Sequence, residues 1–185
     1  MKNIKLANRY AKALYDFSIE RGDLEQVYQD VLLIIGLLKV NRELNQALES
    51  PVIPHTKKSK IFKAIFEKTL CPTTFGFIKL VLEKKREPAL YTIAQEFVKL
   101  YYKFHNIKIA DFVTAQPVEQ SVQDKLVSLL EEKTGSRIIL KSVIMPKLIG
   151  GFIIKIGDFI YDASILKEIN MLKREFSYNI YQAGF

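Results

Sequence analysis

The chain has 185 residues, of which 49% are hydrophobic and 26% are charged, and its formal net charge is +8. This composition is typical of a folded protein and excludes wholesale disorder. The longest uninterrupted apolar run, residues 31–38, is far shorter than the roughly 20 residues that a membrane-spanning helix needs. The single cysteine, Cys71, excludes an intramolecular disulfide and fits a reducing compartment.

The first part of the chain carries almost all of the excess positive charge. Residues 1–105 hold 18 Lys and Arg against 11 Asp and Glu, whereas residues 106–185 hold 10 against 9. The densest basic cluster consists of Lys57, Lys58, Lys60, Lys63 and Lys68. Such a cluster is typical of a solvated helical face, and it also leaves open a basic RNA- or DNA-binding module.

Residues 4–104 show helical periodicity almost throughout. Apolar residues recur every three to four positions in a first helix, which Gly22 is placed to end. Asp23 is placed to cap a second helix, with Gln26 as its capping-box partner. Asn41 is placed to cap a third, which ends near Ser50 before the prolines at 51 and 54.

Three further helices complete this part of the chain. Thr56 is the predicted cap of a lysine-rich fourth helix, in which Ile61 and Ile65 are expected to face inward, with Phe62 and Phe66 as further candidates. A fifth helix is predicted over residues 73–85, and Pro88 suits the first turn of a sixth. Six short helices with tight connections predict a compact bundle over residues 1–105.

The periodicity changes near His105. Residues 109–116 and 137–143 have β-type patterns, and between them lies a helical stripe that Gly135 is placed to end. A hairpin follows, and Asp162 or Ser164 is placed to cap a last helix. The predicted fold class is therefore α+β overall, a six-helix bundle in residues 1–105 followed by a small α+β domain in residues 106–185.

The hairpin is predicted from the segment LIGGFIIKIGD at residues 148–158. Gly150 and Gly151 mark a bend or a close backbone approach, because glycine tolerates backbone angles that a Cβ forbids. Gly157 and Asp158 fit a two-residue type II′ turn. The segment has no nucleophile and no phosphate-loop lysine, so we interpret it as structural.

Few residues in this chain are placed to carry out a reaction. His55 and His105 are isolated and lack the ligand spacing of a metal site. Cys71 has no adjacent cation to activate it as a nucleophile. The sequence therefore predicts no catalytic residue, no metal site, no cofactor and no small-molecule substrate.

Four segments, taken in order, resemble the delta subunit family of the F-type ATP synthase, which includes the mitochondrial oligomycin-sensitivity-conferring protein. These are RYAKALYDFSIERG from Arg9, LESPVIPHTKKSKIF from Leu48, LVLEKKREPALYTIAQEFVKLYY from Leu80, and LIGGFIIKIGD followed by YDAS. Together they cover essentially the whole chain, and the last is the most specific.

The resemblance implies a non-catalytic stator subunit. It implies that the helical bundle binds the N-terminal helices of the ATP synthase alpha subunits on the catalytic head. It also implies that the second domain binds the b-type peripheral stalk subunits, with no nucleic-acid partner and only indirect contact with the membrane. The expected location is the cytoplasmic face of the bacterial inner membrane. No transit peptide is visible, which favours a bacterial origin, and a processed organellar chain would look the same.

A partner helix needs an apolar seam with small residues that allow close approach. The first and fifth predicted helices offer such residues, and several of them are equally suited to the bundle core. The predicted partner-binding set consists of Ala7, Tyr10, Ala11, Ala13, Leu14, Phe77, Leu80, Val81 and Lys84.

Overall fold

The structure is a computed structural model that describes residues 2–50, 53–67 and 69–178. The chain divides into two compact units, residues 1–105 and residues 106–185. The first unit is helical and the second is built on a β-sheet, so the predicted α+β class is confirmed. Pro51 and Lys68, which figured in the sequence analysis, lie outside the described residues.

The described residues of the first unit form six α-helices, close to the predicted positions. They are α1 (Lys2–Arg21), α2 (Leu24–Val40), α3 (Arg42–Glu49), α4 (His55–Phe66), α5 (Pro72–Glu83) and α6 (Leu90–Phe104). Gly22 has φ +72° and ends α1 in the left-handed conformation that favours glycine. A short 3₁₀ turn, Glu87–Ala89, contains Pro88 and leads into α6.

The packing of α1 along α6 forms the centre of this unit. Ala7 and Ala11 are fully buried on one side of α1, and their small side chains allow neighbouring helices to approach closely. Further along α1, the ring of Tyr15 lies 6.1 Å from that of Phe97 and stacks at 4.9 Å on that of Phe104. The core continues through α2, α5 and α6, with Val27, Val31, Ile34, Leu38, Ile78, Val81, Leu90, Ile93 and Tyr101.

The inward face of α4 differs from the expectation. Phe62 and Phe66 are buried, with their rings 5.3 Å apart, whereas Ile61 and Ile65 are exposed. The helix begins at His55, one residue before the predicted cap. Both pairs have the same four-residue spacing, so periodicity could not choose between two adjacent stripes, and the larger aromatic rings occupy the core.

The second unit is a four-stranded sheet with two helices. Its elements are β1 (Ile107–Thr114), α7 (Gln120–Thr134), β2 (Arg137–Ile144), β3 (Gly151–Ile156), β4 (Phe159–Ser164) and α8 (Ile165–Tyr178). The strand order is β2-β1-β3-β4. The β1–β2 pair is parallel and is connected through α7, whereas β1–β3 and β3–β4 are antiparallel. Both β2 and β4 are edge strands.

One face of the sheet packs against α7. Ala110 and Phe112 of β1 lie in this core with Ile138 and Ile154 from the neighbouring strands, and Leu130 of α7 covers them. Gly135 ends α7 with φ +59°. The β3–β4 hairpin is therefore anchored through its inner strand, while among the described residues β4 pairs along one edge only.

Glycines shape the hairpin at both ends. Gly157 and Asp158 form the two-residue turn, and because Gly157 alone has positive φ the sign pattern is that of type II′. Gly151 has φ +73°, and a Cβ there would overlap the carbonyl oxygen of Ala163. A Cβ at Gly150 would approach Ile165 Cδ1 to 2.6 Å. Gly151 thus lets β3 and β4 approach each other closely.

The start of α8 is held by two side chains of β4. The Ser164 amide donates to Asp162 Oδ1 at 2.9 Å, and the Lys167 amide donates to Ser164 Oγ at 3.2 Å. Hydrogen bonds from Ser164 lower the pKa of the Asp162 carboxyl. Both of the residues that the sequence suggested as caps therefore stabilise this helix start.

We expect Gly151→Ala to destabilise the second unit more than Gly157→Ala. Alanine at either position adopts an unfavourable left-handed conformation, at a cost of about 1–2 kcal/mol. Gly157 has open space around a new Cβ, whereas at Gly151 the backbone of β4 must also move. Denaturant unfolding followed by NMR signals of the second unit measures both losses. Equal losses of stability in the two variants would show that the close approach of β4 adds nothing to the cost of a side chain at Gly151.

Candidate functional site

An open groove lies between α1 and α5 in the first unit, with a volume of about 720 Å³. Its lining is mainly apolar, with an arginine toward each end of the α1 wall. The lining residues are Arg9, Tyr10, Ala13, Leu14, Phe17 and Arg21 of α1, and Pro72, Thr73, Gly76, Phe77 and Leu80 of α5.

Small and aromatic residues alternate along the two walls. Tyr10 and Phe77 meet edge-to-face with their ring centroids 6.4 Å apart, which fixes the separation of the helices at that level. Ala13 and Gly76 face the groove without bulk, and a Cβ at Gly76 would meet nothing within 4 Å. Leu14, almost fully buried, forms part of the floor. The groove thus offers low-bulk positions at Ala13 and Gly76, into which a side-chain ridge could insert.

Polar contacts hold the end of the groove where α5 begins. Thr73 Oγ1 donates a short hydrogen bond to Asp23 Oδ2, so this carboxylate binds α5 instead of forming the predicted capping box. The Cys71 amide donates to Asp30 Oδ2 at 2.8 Å. Arg21 lies over the ring of Phe17, 4.9 Å from its centroid, in a cation–π contact. Hydrogen bonds therefore hold the N-terminus of α5 to Asp30 of α2 and to Asp23, which directly precedes α2.

Five members of the predicted partner-binding set lie in this groove. Two lie on the α5 wall and three on α1, and they are Tyr10, Ala13, Leu14, Phe77 and Leu80. Tyr10, Ala13, Phe77 and Leu80 are at least partly exposed and available to a partner, whereas Leu14 is almost fully buried in the floor. Contact with a partner stays a prediction.

Four members of the set lie outside the groove. Three of them are buried, which corrects their prediction as surface contacts, and for Lys84 contact with a partner stays a prediction. Ala7, Ala11 and Val81 are at most 1% exposed and belong to the bundle core, because they lie on the side of each helix that faces the other helices. Lys84 is exposed beyond the end of α5, where the chain leaves the helix through Lys85 at φ +55°, and it does not line the groove.

Sequence reasoning missed the remaining six lining residues, which are Arg9, Phe17, Arg21, Pro72, Thr73 and Gly76. A signal for part of this set was present. Tyr10, Ala13 and Phe17 recur at three-to-four spacing, offset from the buried stripe of Ala7, Ala11 and Leu14. Two apolar stripes on one helix indicate that it contacts something on each side.

The basic cluster on α4 is less available than its sequence indicates. Lys58 is buried, and its Nζ donates to the Leu48 carbonyl oxygen at 2.6 Å, at the C-terminal end of α3. Lys63 pairs with Glu67 at 3.4 Å. Lys57 and Lys60 are exposed. Two of the four described lysines therefore have structural partners, which weakens the case for a nucleic-acid surface.

His105 and Cys71, two of the residues considered for chemistry, have structural contacts. The His105 ring stacks on Tyr101 at 4.1 Å, with Nδ1 lying 3.0 Å from the Tyr101 carbonyl oxygen. Cys71 is the N-cap of α5, and its sulfur accepts from the Thr74 amide. Burial raises the pKa of the Cys71 thiol, which lowers the fraction of reactive thiolate. In residues 2–50, 53–67 and 69–178, no three His, Cys, Asp or Glu side chains gather as a metal site would require.

The second unit exposes apolar side chains on β4 and α8. Phe159, Ile160 and Tyr161 are exposed on consecutive positions of the edge strand. The apolar stripe of α8 is exposed at Ile165, Leu172 and Phe176. The described part of the second unit therefore offers a broad apolar surface rather than a concave site.

Among the described helices, none has both the length and the apolar character required to cross a bilayer.

A concave apolar groove on the helical unit and exposed apolar elements on the second define a two-unit α+β protein with apolar surface on each unit. The family model for the ATP synthase delta (OSCP) subunit matches residues 6–176. The chain belongs to this family, whose members are non-catalytic structural subunits of the ATP synthase.

Relatives of nearly the same length support this assignment. The ATP synthase subunit delta of Christiangramia forsetii is 34% identical over 98% of this chain and 98% of its own length. That of Chlorobaculum parvum is 38% identical over 94% of this chain and 96% of its own. The fold also matches a chain of the Toxoplasma gondii mitochondrial ATP synthase hexamer, with a TM-score of 0.70 and 23% identity, over 95% of this chain and 99% of that one.

We expect Thr73→Val to lower the stability of the first unit by about 1–3 kcal/mol, since it removes a donor from a partly buried carboxylate. The other carboxylate oxygen of Asp23 is buried and has no hydrogen-bond partner among the described residues, so the loss has no ready compensation. Thr73→Ser keeps the hydroxyl and should lose much less. Denaturant unfolding of the two variants measures the difference, and equal losses would assign the effect to packing.

Proposed function

We propose that this chain is the stator subunit that links the catalytic head of an F-type ATP synthase to its b-type peripheral stalk. In this proposal residues 1–105 bind the N-terminal helices of the alpha subunits, and residues 106–185 bind the stalk. Proton-driven rotation of the central shaft exerts torque on the head. A subunit that holds the head still allows that rotation to be coupled to ATP synthesis.

The groove between α1 and α5 is the observation that carries the first half of the proposal. It extends along α1 from Arg9 to Arg21, about 18 Å at the rise of an α-helix, which suits about 12 residues of a docked helix. Its walls are apolar, and the small residues Ala13 on α1 and Gly76 on α5 leave space between them. This shape suits an amphipathic helix that inserts one apolar face. A partner bound in this way resists displacement through packing, and no reactive group is needed.

The exposed apolar residues of β4 and α8 support the second half. They provide area for a packed interface, and the free edge of β4 adds unpaired backbone groups. A long stalk helix could cover the exposed stripe of α8 at Leu172 and Phe176. We place the protein at the cytoplasmic face of a bacterial inner membrane, held there through the complex, in line with its bacterial relatives.

The groove proposal predicts that Leu80→Glu weakens binding of a synthetic peptide with the N-terminal sequence of the cognate alpha subunit by at least tenfold. A carboxylate in the apolar wall would be desolvated by the docked helix, at a cost of more than about 1.4 kcal/mol. The control is Ile19→Glu, because Ile19 is also exposed on this unit and does not line the groove. Titration calorimetry on the folded full chain measures both. If the unaltered protein does not bind the peptide, the proposal for the head is wrong.

The stalk proposal predicts that Phe176→Glu reduces capture of the b-type subunits from solubilised native membranes. The substitution removes the contribution of the Phe176 ring to binding. It also places a carboxylate in a packed apolar interface, where the carboxylate loses its hydration. Val122→Glu on α7 is the matched control, because Val122 is an exposed apolar residue of the same unit. Equal capture by both variants would show that α8 is not part of the stalk interface.

A further inference from the structure

A small cationic pocket adjoins the end of the groove that lies farthest from Arg21. Its volume is about 250 Å³, and its lining consists of Lys5, Leu6, Arg9, Tyr10 and Arg86. Arg9 and Tyr10 also line the groove, so the two cavities share a wall. Three of the five lining side chains carry a positive charge. We call the cluster of Lys5, Arg9 and Arg86 the cationic pocket.

The fold brings these three charges together. Lys5 and Arg9 are four residues apart on α1 and lie on the same face of that helix. Arg86 is positioned by the end of α5, where its amide donates to the Val81 carbonyl oxygen at 3.0 Å and Lys85 takes the left-handed conformation. This hydrogen-bond pattern is that of a Schellman motif, which fixes the backbone of Arg86 next to α1.

No acidic side chain of the described chain neutralises the cationic pocket. The ion pairs Lys63–Glu67 and Lys99–Glu96 involve none of Lys5, Arg9 and Arg86, and these three form no ion pair with a described acidic side chain. Three like charges around one cavity repel each other. An anion in the cavity would be attracted to all three and would offset that repulsion. At the other end of the groove Arg21 is engaged with the ring of Phe17, so the stronger unpaired positive charge lies at the cationic pocket.

We propose that the cationic pocket binds a carboxylate side chain of the helix that occupies the groove. This inference rests on the proposed function of the groove. Because the cavities share Arg9 and Tyr10, an acidic residue at one end of a docked helix reaches the cationic pocket while the apolar face of that helix stays between α1 and α5. Arginine forks and lysine ammonium groups form charge-assisted hydrogen bonds with carboxylates. The pocket thereby sets the direction and register in which the helix docks, which an apolar groove alone does not.

The test uses the full chain and the synthetic alpha-subunit peptide, together with peptide versions in which each Asp or Glu is replaced singly by its amide. Arg86→Gln and Lys5→Gln remove charges from the cationic pocket without altering the groove walls. Lys12→Gln removes the same charge from an exposed position on α1 that lines neither cavity. Titration calorimetry at two salt concentrations gives the affinity of each combination.

We expect Arg86→Gln to weaken binding about fivefold at low salt and less at high salt, and Lys12→Gln to have a much smaller effect. One amide-substituted peptide should lose affinity by a similar factor against the unaltered protein. When the Arg86→Gln variant is titrated, that peptide should bind almost as tightly as the unaltered peptide does, since the two changes remove the same contact.

Three results would overturn the inference and leave the proposed function intact. In the first, the peptide binds the unaltered protein, and Arg86→Gln and Lys12→Gln weaken it equally. In the second, every amide substitution is additive with Arg86→Gln. In the third, inorganic phosphate added to the free protein binds at Lys5, Arg9 and Arg86 by NMR and leaves peptide affinity unchanged. Absence of peptide binding to the unaltered protein would count against the groove proposal itself.

Discussion

The close packing of α1 in the bundle is the constraint on which the rest of the first unit depends. Ala7 and Ala11 lie on its buried side, and their lack of bulk fixes how α1 is rotated about its own axis. At about 100° per residue, that rotation places Tyr10, Ala13 and Phe17 away from the core and toward α5. The groove therefore follows from the way the core is packed, and it is present in the chain by itself. A preformed groove loses less conformational entropy on binding than one that must be ordered.

The two units use exposed apolar surface in different ways. In the first unit the surface is concave, bounded by aromatic rings and lined by small residues, which selects a shape. In the second unit Phe159 and Phe176 lie on convex or flat elements, a strand and a helix, which suits an extended partner. Under the proposed stator role both properties would be useful, because a shape-selective contact fixes position and a broad contact spreads load. The Schellman motif that places Arg86 shows that backbone geometry also contributes to the first surface.

The sequence predicted the elements well and their rotation less well. Periodicity located six helices in the described part of the first unit, and Gly22, Gly135 and the Gly157-Asp158 turn were identified from the special backbone angles they support. The errors concern helix phase. On α4 the pair Ile61 and Ile65 has the same spacing as Phe62 and Phe66, and on α1 a second apolar stripe runs beside the first. Spacing alone cannot rank two stripes, because burial is decided by neighbouring helices. Arg86 and Thr73 could not be placed at the site, since their positions depend on how the end and start of α5 meet α1 and Asp23.

The free edge of β4 has a consequence for the life of the protein before assembly. A strand with three consecutive exposed apolar residues and unpaired backbone groups is a template for pairing with another copy. Asp162, which follows these residues, places one charge in the strand and limits that tendency without abolishing it. The isolated chain is therefore prone to self-association through this edge. Under the proposed stalk contact, a partner that covers β4 would remove that tendency, so the chain would be safest from aggregation once assembled.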